Sequence, residues 1–249
     1  MTNTSAANIK SEQVDYQANG VNLKGYIAWD ANQTAPRPGV LVVHEWWGQT
    51  DYIRSRARMI AELGYCGFAV DMYGDGKTAT TPDEAGKLMN DVFANMDEGV
   101  ARFQAAREAL ESHSASDASK TAAMGYCFGG AVVLEMARRG MDLKGVASFH
   151  GALATQTKVA PGSIKAKILV MHGNDDVLVP QEQVEAFHKE MADAKADVKF
   201  VGYPGALHGF TNPAATGNGE KYGLPLAYNE SVDKQSWAEL KSFLTEIFK

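Results

Sequence analysis

Apolar residues along the chain fall into two alternating patterns. Residues 39–44, 65–70, 120–124, 145–150, 165–172 and 198–203 are short and mostly apolar. Runs of that kind are the strands that a parallel sheet buries on both faces. Between them lie stretches with helical spacing: 51–63, 82–111 with a break near Asn95, 131–140 and 181–194. Residues 229–248 close the chain as an amphipathic helix, with Trp237, Leu240, Phe243, Leu244 and Ile247 on one face. Ahead of this alternation, 12–17 and 21–29 read as strands joined at Asn19-Gly20, a strong hairpin signal. Residues 30–38 are a polar, proline-bearing loop, and 211–227 are a long insertion rich in Gly, Pro and Asn. The pattern predicts an α/β architecture with a mostly parallel central sheet, helices on both faces and an N-terminal hairpin. One domain spans residues 1–249, with 1–11 as a loose N-terminal segment.

Composition narrows the class. The chain has 249 residues, 45% of them apolar and 22% charged, ordinary for a globular protein. A net charge of −6 without any Lys/Arg block argues against a nucleic-acid surface. No apolar run has membrane-spanning length, and the polar start lacks the apolar core of a leader, so a cytoplasmic protein is expected. Cys66 and Cys127, the two cysteines, fall in separate strand regions and read as free thiols. No His-x-x-x-His or Cys-x-x-Cys spacing supports a metal site, and no G-x-G-x-x-G follows a strand. A monomer is favoured.

The chemistry centres on Gly125-Tyr126-Cys127-Phe128-Gly129-Gly130, set between a strand and a helix. This is the setting of the G-x-S-x-G elbow, with Cys in place of Ser. Glycines are needed because strand and helix meet at a tight angle, where a Cβ would collide with backbone. The helix N-terminus favours a thiolate at Cys127. A cysteine nucleophile needs a base, and the base an orienting carboxylate. Asp176, after the strand at 165–172, and His208, after the strand at 198–203, follow in that order. Asp175 reads as the turn residue beside Asp176. Cys66 reads as an inert core thiol.

The elbow, His44-Glu45-Trp46-Trp47-Gly48, Asp71-Met72-Tyr73-Gly74 and the Asp176/His208 pair together resemble the dienelactone hydrolase (carboxymethylenebutenolidase) family, from about residue 12 to the C-terminus. The resemblance implies an α/β-hydrolase fold, lactone opening without a cofactor, and a triad of Cys127, Asp176 and His208. It also implies that Glu45 contacts the resting thiol and assists its deprotonation. A carboxylate there opposes the thiolate that the helix end favours. The backbone N–H groups of Trp46 and Phe128 are the expected oxyanion donors. His44 is a candidate supporting partner of Glu45.

One feature departs from the family, whose enzyme clamps a substrate carboxylate with arginines. Four residues after His208 stands Asn212, and residues 75–99 hold Lys77 and Lys87 but no Arg. Lys77 is the candidate replacement. Expected substrate contacts are Trp46, Trp47, Tyr73, Lys77 and Phe210. The reading is a cysteine hydrolase acting on a small lactone or activated ester. The alternatives are a carboxylesterase or thioesterase of other range, and a non-catalytic binding module on the same fold.

Overall fold

Val40 and Val42 pack on one face of the sheet and Leu41 and Val43 on the other, and all four are fully buried. That two-sided burial is why the run carries no polar alternation. The computed structural model describes residues 6–249. Its elements are β1 (Ile9–Ala18), β2 (Val21–Asp30), β3 (Arg37–Val43), α1 (Asp51–Glu62), β4 (Cys66–Val70), α2 (Pro82–Ala94), α3 (Met96–Ser112), β5 (Ser116–Tyr126), α4 (Phe128–Arg138), β6 (Gly145–Phe149), β7 (Lys167–Gly173), α5 (Gln181–Asp193), β8 (Val198–Tyr203), α6 (Ala215–Tyr222) and α7 (Glu230–Ile247).

The strands form one sheet in the order β1-β2-β4-β3-β5-β6-β7-β8. The β1–β2 and β2–β4 pairings are antiparallel, and every pairing from β4 to β8 is parallel. On one face lie Ile53 and Ile60 of α1 with Leu240, Phe243 and Leu244 of α7. The other face carries Phe103 and Leu110 of α3, Val132 and Met136 of α4, and Phe187 and Met191 of α5. The expected α/β architecture, with helices on both faces, is the one observed. Among the described residues no helix is long and apolar enough to cross a membrane.

The differences from the sequence pattern all lie where backbone pairing, not apolar burial, makes the element. Residues 9–11, expected in a loose segment, are strand: Ile9, Lys10 and Ser11 pair with Asp30, Trp29 and Ala28. Residues 1–5 lie outside the described residues. Strand β5 starts at Ser116, ahead of the apolar run, because Arg37 and Pro38 pair with Ser116 and Asp117 before the register shifts at Gly39. Helix α6 sits inside the insertion expected to be loop. Its Gly217 and Gly219 weaken helix propensity. Gly219 is required all the same, since a Cβ there would meet the Leu226 carbonyl at 2.5 Å. The long helical stretch does divide, with Asn95 at φ −128°, ψ 56° between α2 and α3.

Cys66 opens β4 with no solvent exposure, and burial pushes its thiol up to about 12. The native protein should therefore consume one equivalent of iodoacetamide at neutral pH, at Cys127, and a second only after denaturation. Cys66→Ala should lower unfolding free energy by roughly 1 kcal/mol in a urea titration. Native labelling at Cys66 would contradict the burial argument.

Candidate active site

Five neighbouring parallel strands end at one edge of the sheet, and the loops leaving them carry the polar side chains of interest. Glu45 follows β3, Tyr73 follows β4, Cys127 follows β5, His150 follows β6 and Asp176 follows β7; the sixth residue, His208, comes off β8. Ligand sites of open α/β sheets form at this edge because chain reversal leaves room there.

The elbow is held open by the absence of side chains. A Cβ on Gly125 would lie 2.1 Å from the Gly129 carbonyl oxygen, and one on Gly129 would lie 2.4 Å from that of Val43. Cys127 sits between them at φ 53°, ψ −113°, a backbone conformation that only a tightly constrained non-glycine residue keeps. Its N–H donates to the Phe149 carbonyl at 3.0 Å and to Nδ1 of His150 at 3.2 Å. The thiol is partly exposed at the head of α4.

Asp176 and His208 meet as the residue types suggest. His208 Nδ1 donates to Asp176 Oδ2 at 2.8 Å, and Asp176 Oδ1 accepts the Leu178 N–H at 2.9 Å. The Asp176 side chain is wholly buried. Asp175, by contrast, is exposed and its carboxylate lies 3.4 Å from the Gly205 N–H, the turn role expected of it. Burial works against a charged His208, but the electrostatic pull of the neighbouring Cys127 and the hydrogen bond with Asp176 outweigh it and push the imidazole up to about 10. A proton therefore rests on His208 at neutral pH.

Glu45 is buried, and Asn212 Nδ2 donates to its Oε2 at 2.6 Å. Desolvation pushes its carboxyl up to about 7, against the opposing pull of Asn212, His208 and Arg56. Among the described residues no hydrogen bond joins Glu45 to Cys127; the thiol interacts with His208 instead. The hydrogen bond that Glu45 does make is with the Asn212 amide, while Glu45 and Cys127 line one niche. Asn212, which the sequence marks only as a missing arginine, is the residue that holds Glu45.

The Glu45 loop is fixed from below. His44 is buried, and its Nδ1 donates to the Glu45 carbonyl at 2.5 Å while Nε2 accepts the Met72 N–H at 3.3 Å. Gly129 N–H donates to the His44 carbonyl at 3.0 Å, tying the loop to the elbow. Tyr73 Oη donates to the Trp46 carbonyl at 2.9 Å. Tyr73 is itself set by Asp71, whose carboxylate accepts the N–H groups of Lys24, Tyr73, Gly74 and Gly76.

A second buried web supports the loop that carries His208. Arg56 donates to the Thr211 carbonyl and to Asp233, both at 2.6 Å. Its guanidinium lies 5.2–5.5 Å from the rings of Tyr52, Tyr126 and Trp237. Thr211 Oγ1 accepts from Tyr52 at 2.7 Å and from His150 Nε2 at 2.8 Å. With Nδ1 accepting from Cys127, His150 is neutral, and burial, His208 and Arg56 all hold its pKa well below the ordinary range. The sequence singles out neither residue: Arg56 lies far along the chain from the loop it supports, and Thr211, three residues after His208, has its partners Arg56, Tyr52 and His150 on other elements.

The dienelactone hydrolase family profile matches residues 23–248. The chain belongs to the dienelactone hydrolase family. It is 34% identical over 208 residues to protein usf of Aquifex pyrophilus, covering 81% of this chain and 87% of that one. A dienelactone hydrolase-like promiscuous phosphotriesterase from metagenomic libraries is 33% identical, with a TM-score of 0.88 over 97% of this chain and 99% of that one. A Pyrococcus furiosus esterase, 14% identical with a TM-score of 0.65, covers 97% of this chain and 94% of its own and shares the fold alone.

Two cavities flank the Cys127 sulfur in this family member. One, of about 260 Å³, is walled by Trp46, Met89, Phe93, Phe128, Ala131, Ala152, Leu178, Val179, Leu224 and Leu226, with Cys127 and His208 at its base. The other is a niche of about 10 Å³ where Glu45, Asn212 and Asn218 approach Cys127 and His208, with Trp47 in its wall. Trp46 lines both cavities and Trp47 the niche. Lys77 is in neither: with Tyr73 it lines a separate cavity of about 360 Å³ beside Arg102, Asp91 and Glu98. Tyr73 acts on the site through Trp46. Phe210 has no exposed surface and packs on His150 and Tyr203, so it is placed in the core and lines neither cavity. Among the described residues no cluster of His, Cys, Asp and Glu could hold a metal ion.

A carboxyl whose pKa is raised on folding binds its proton more tightly folded than unfolded. Glu45 therefore contributes stability below about pH 4.5 and loses it as pH rises towards 7. Glu45→Gln keeps the acceptor for Asn212 and does not titrate. Its stability relative to wild type should improve by up to about 3 kcal/mol between pH 4 and pH 8, read from denaturant midpoints. A pH-independent difference would show that Glu45 titrates alike in the folded and the unfolded chain.

Arg56→Met should cost roughly 3–5 kcal/mol, because it strands Asp233 without its partner. The double variant Arg56→Met/Asp233→Leu should recover part of that loss in the same urea titration, since both charges are then gone. A double variant as unstable as the sum of the two singles would mean the pair is not coupled.

Proposed function

We propose that this chain is a cysteine-nucleophile hydrolase that opens a lactone or an activated ester through an acyl-enzyme. One observation carries the reading: a cysteine at positive φ at the end of β5 interacts with a histidine that a buried aspartate orients. In this reading the Cys127 sulfur attacks the carbonyl carbon, a C–S bond forms, and the π electrons move onto oxygen. The N–H groups of Trp46 and Phe128 receive that oxyanion, Phe128 from the first turn of α4, where backbone donors have no helical partner. Collapse of the intermediate breaks the C–O bond. The departing oxygen takes the proton that His208 holds. His208 then accepts a proton from water as the water attacks the thioester, and the Cys127 thiolate leaves.

Asp176 keeps the His208 ring in register throughout. Glu45 shares the niche with the sulfur, and its charge modulates the thiolate, changing near neutral pH. The family match supports the hydrolase class. The similar metagenomic enzyme is a promiscuous phosphotriesterase by name, which adds a neutral phosphotriester to the substrates worth assaying.

Cys127→Ala should fold normally and lose turnover of p-nitrophenyl acetate by on the order of a thousandfold or more. Asp176→Asn should lose on the order of a hundredfold or more, and Asp175→Asn little. Mass spectrometry of the wild type mixed with p-nitrophenyl acetate should find the acetyl group on Cys127. Near wild-type turnover by Cys127→Ala would exclude the mechanism.

A further inference from the structure

The large hydrophobic side chains that stand exposed among the described residues are three: Phe93 at 40%, Val177 at 68% and Leu178 at 47%. Scattered single exposed apolar residues need no explanation. These are not scattered. Phe93 of α2 and Leu178 of the β7–α5 loop both line the larger cavity over Cys127, and Val177 adjoins Leu178. The apolar lining of the cavity thus continues past its mouth onto the surface. Exposed apolar area of this kind, adjoining a concave site, marks ligand contact.

Charge points the same way. His208 is the one ionisable group besides the nucleophile on the wall of that cavity, and its Nδ1 is already committed to Asp176. The cations nearby are engaged elsewhere. Arg138 donates to Glu190 and to the Leu153 carbonyl, and Arg139 donates to Glu135 and Asp97. Lys77 lines a different cavity. Asn212 is a neutral amide, and it donates to Glu45. An anionic substrate group entering the cavity would lose its hydration and find no cation there besides His208, which Asp176 and Cys127 already engage.

Resting on the ester-hydrolase reading above, we propose that the natural substrate is a neutral ester or lactone with an extended apolar arm. The scissile carbonyl sits at Cys127, and the arm lies in the cavity and runs out between Phe93 and Leu178. The polar niche at Glu45 and Asn212, which Cys127 also lines, is too small for such an arm.

The test is a matched substrate panel. One series varies the acyl side (p-nitrophenyl acetate, butyrate and hexanoate), one varies the alcohol side (methyl, butyl and hexyl acetate), and p-nitrophenyl hemiglutarate places a carboxylate at the end of an acyl arm of similar length. In whichever series the arm occupies the cavity, kcat/KM should rise by up to about fourfold per methylene. The hemiglutarate should fall at least tenfold below the neutral ester. Leu178→Lys, at a half-exposed position, should narrow that ratio in favour of the anion, and Phe93→Ser should flatten the methylene dependence. Flat profiles in both series, or a hemiglutarate as good as its neutral counterpart, would overturn the proposal. Acetylation of Cys127 by p-nitrophenyl acetate separates the two levels: with it, flat profiles refute the apolar arm alone, and without it the hydrolase reading itself falls.

Discussion

Backbone against backbone at the head of α4 is the contact on which the site depends. Gly125 approaches Gly129 so closely that a single methyl group would lie 2.1 Å from a carbonyl oxygen. Gly129 in turn rests on Val43, and its N–H takes the His44 carbonyl at 3.0 Å. Cys127 N–H reaches across to Phe149. The ends of β3, β5 and β6 are thereby bound at one point, and the strained φ of Cys127 is the geometric consequence. No side chain could replace this junction, because the distance it sets is one that no Cβ tolerates.

Beneath the junction the structure holds polar groups out of water at considerable cost, and several have partners that offset it. Arg56 has an ion pair, a carbonyl and three aromatic faces. His150 is kept neutral so that it can accept from Cys127 and donate to Thr211, and it does this 5.2 Å from the ring of His208. A charged imidazole there would repel the one that His208 carries. The two buried carboxylates differ in the same economical way. Asp176 accepts from His208 and from a backbone N–H, whereas Glu45 has a single amide donor, and burial raises its pKa towards neutrality.

The cavity shows how an ordinary composition conceals a selective site. Its walls come from α2, α4, the β7–α5 loop and the segment after α6. Helix α6 and its continuation are fastened by the Tyr222 hydroxyl, which donates to the Thr80 carbonyl at 2.9 Å, and by the pairing of Leu226 with His208. The same segment that delivers Leu224 and Leu226 to the cavity also closes the niche around Glu45 through Ala215 and Asn218. One insertion therefore shapes both cavities that Cys127 lines.

By itself the sequence determined whatever depends on local periodicity or on the order of motifs along the chain. Two-sided apolar runs at residues 39–44 and 165–172 can only be central strands, and Gly125 and Gly129 around Cys127 can only serve a tight strand-to-helix turn. The order Cys127, Asp176, His208 then names the pair that meets in a hydrogen bond, Asp176 with His208, and Asp175 is left in the turn. Tertiary structure decided what depends on partners distant in sequence. Ile9 to Ser11 became strand because β2 offers them backbone bonds, which leave no mark in side-chain pattern. Helix α6 formed in a glycine-rich stretch because it packs over the site, overriding weak propensity. Lys77 and Phe210 lie near the motifs in sequence, yet one faces another cavity and the other the core. Asn212 and Glu45 stand 167 residues apart and meet only because β3 and the loop after β8 end at the same sheet edge. Residue type and spacing can name the chemistry, but the burial that tunes each group is a property of the assembled fold.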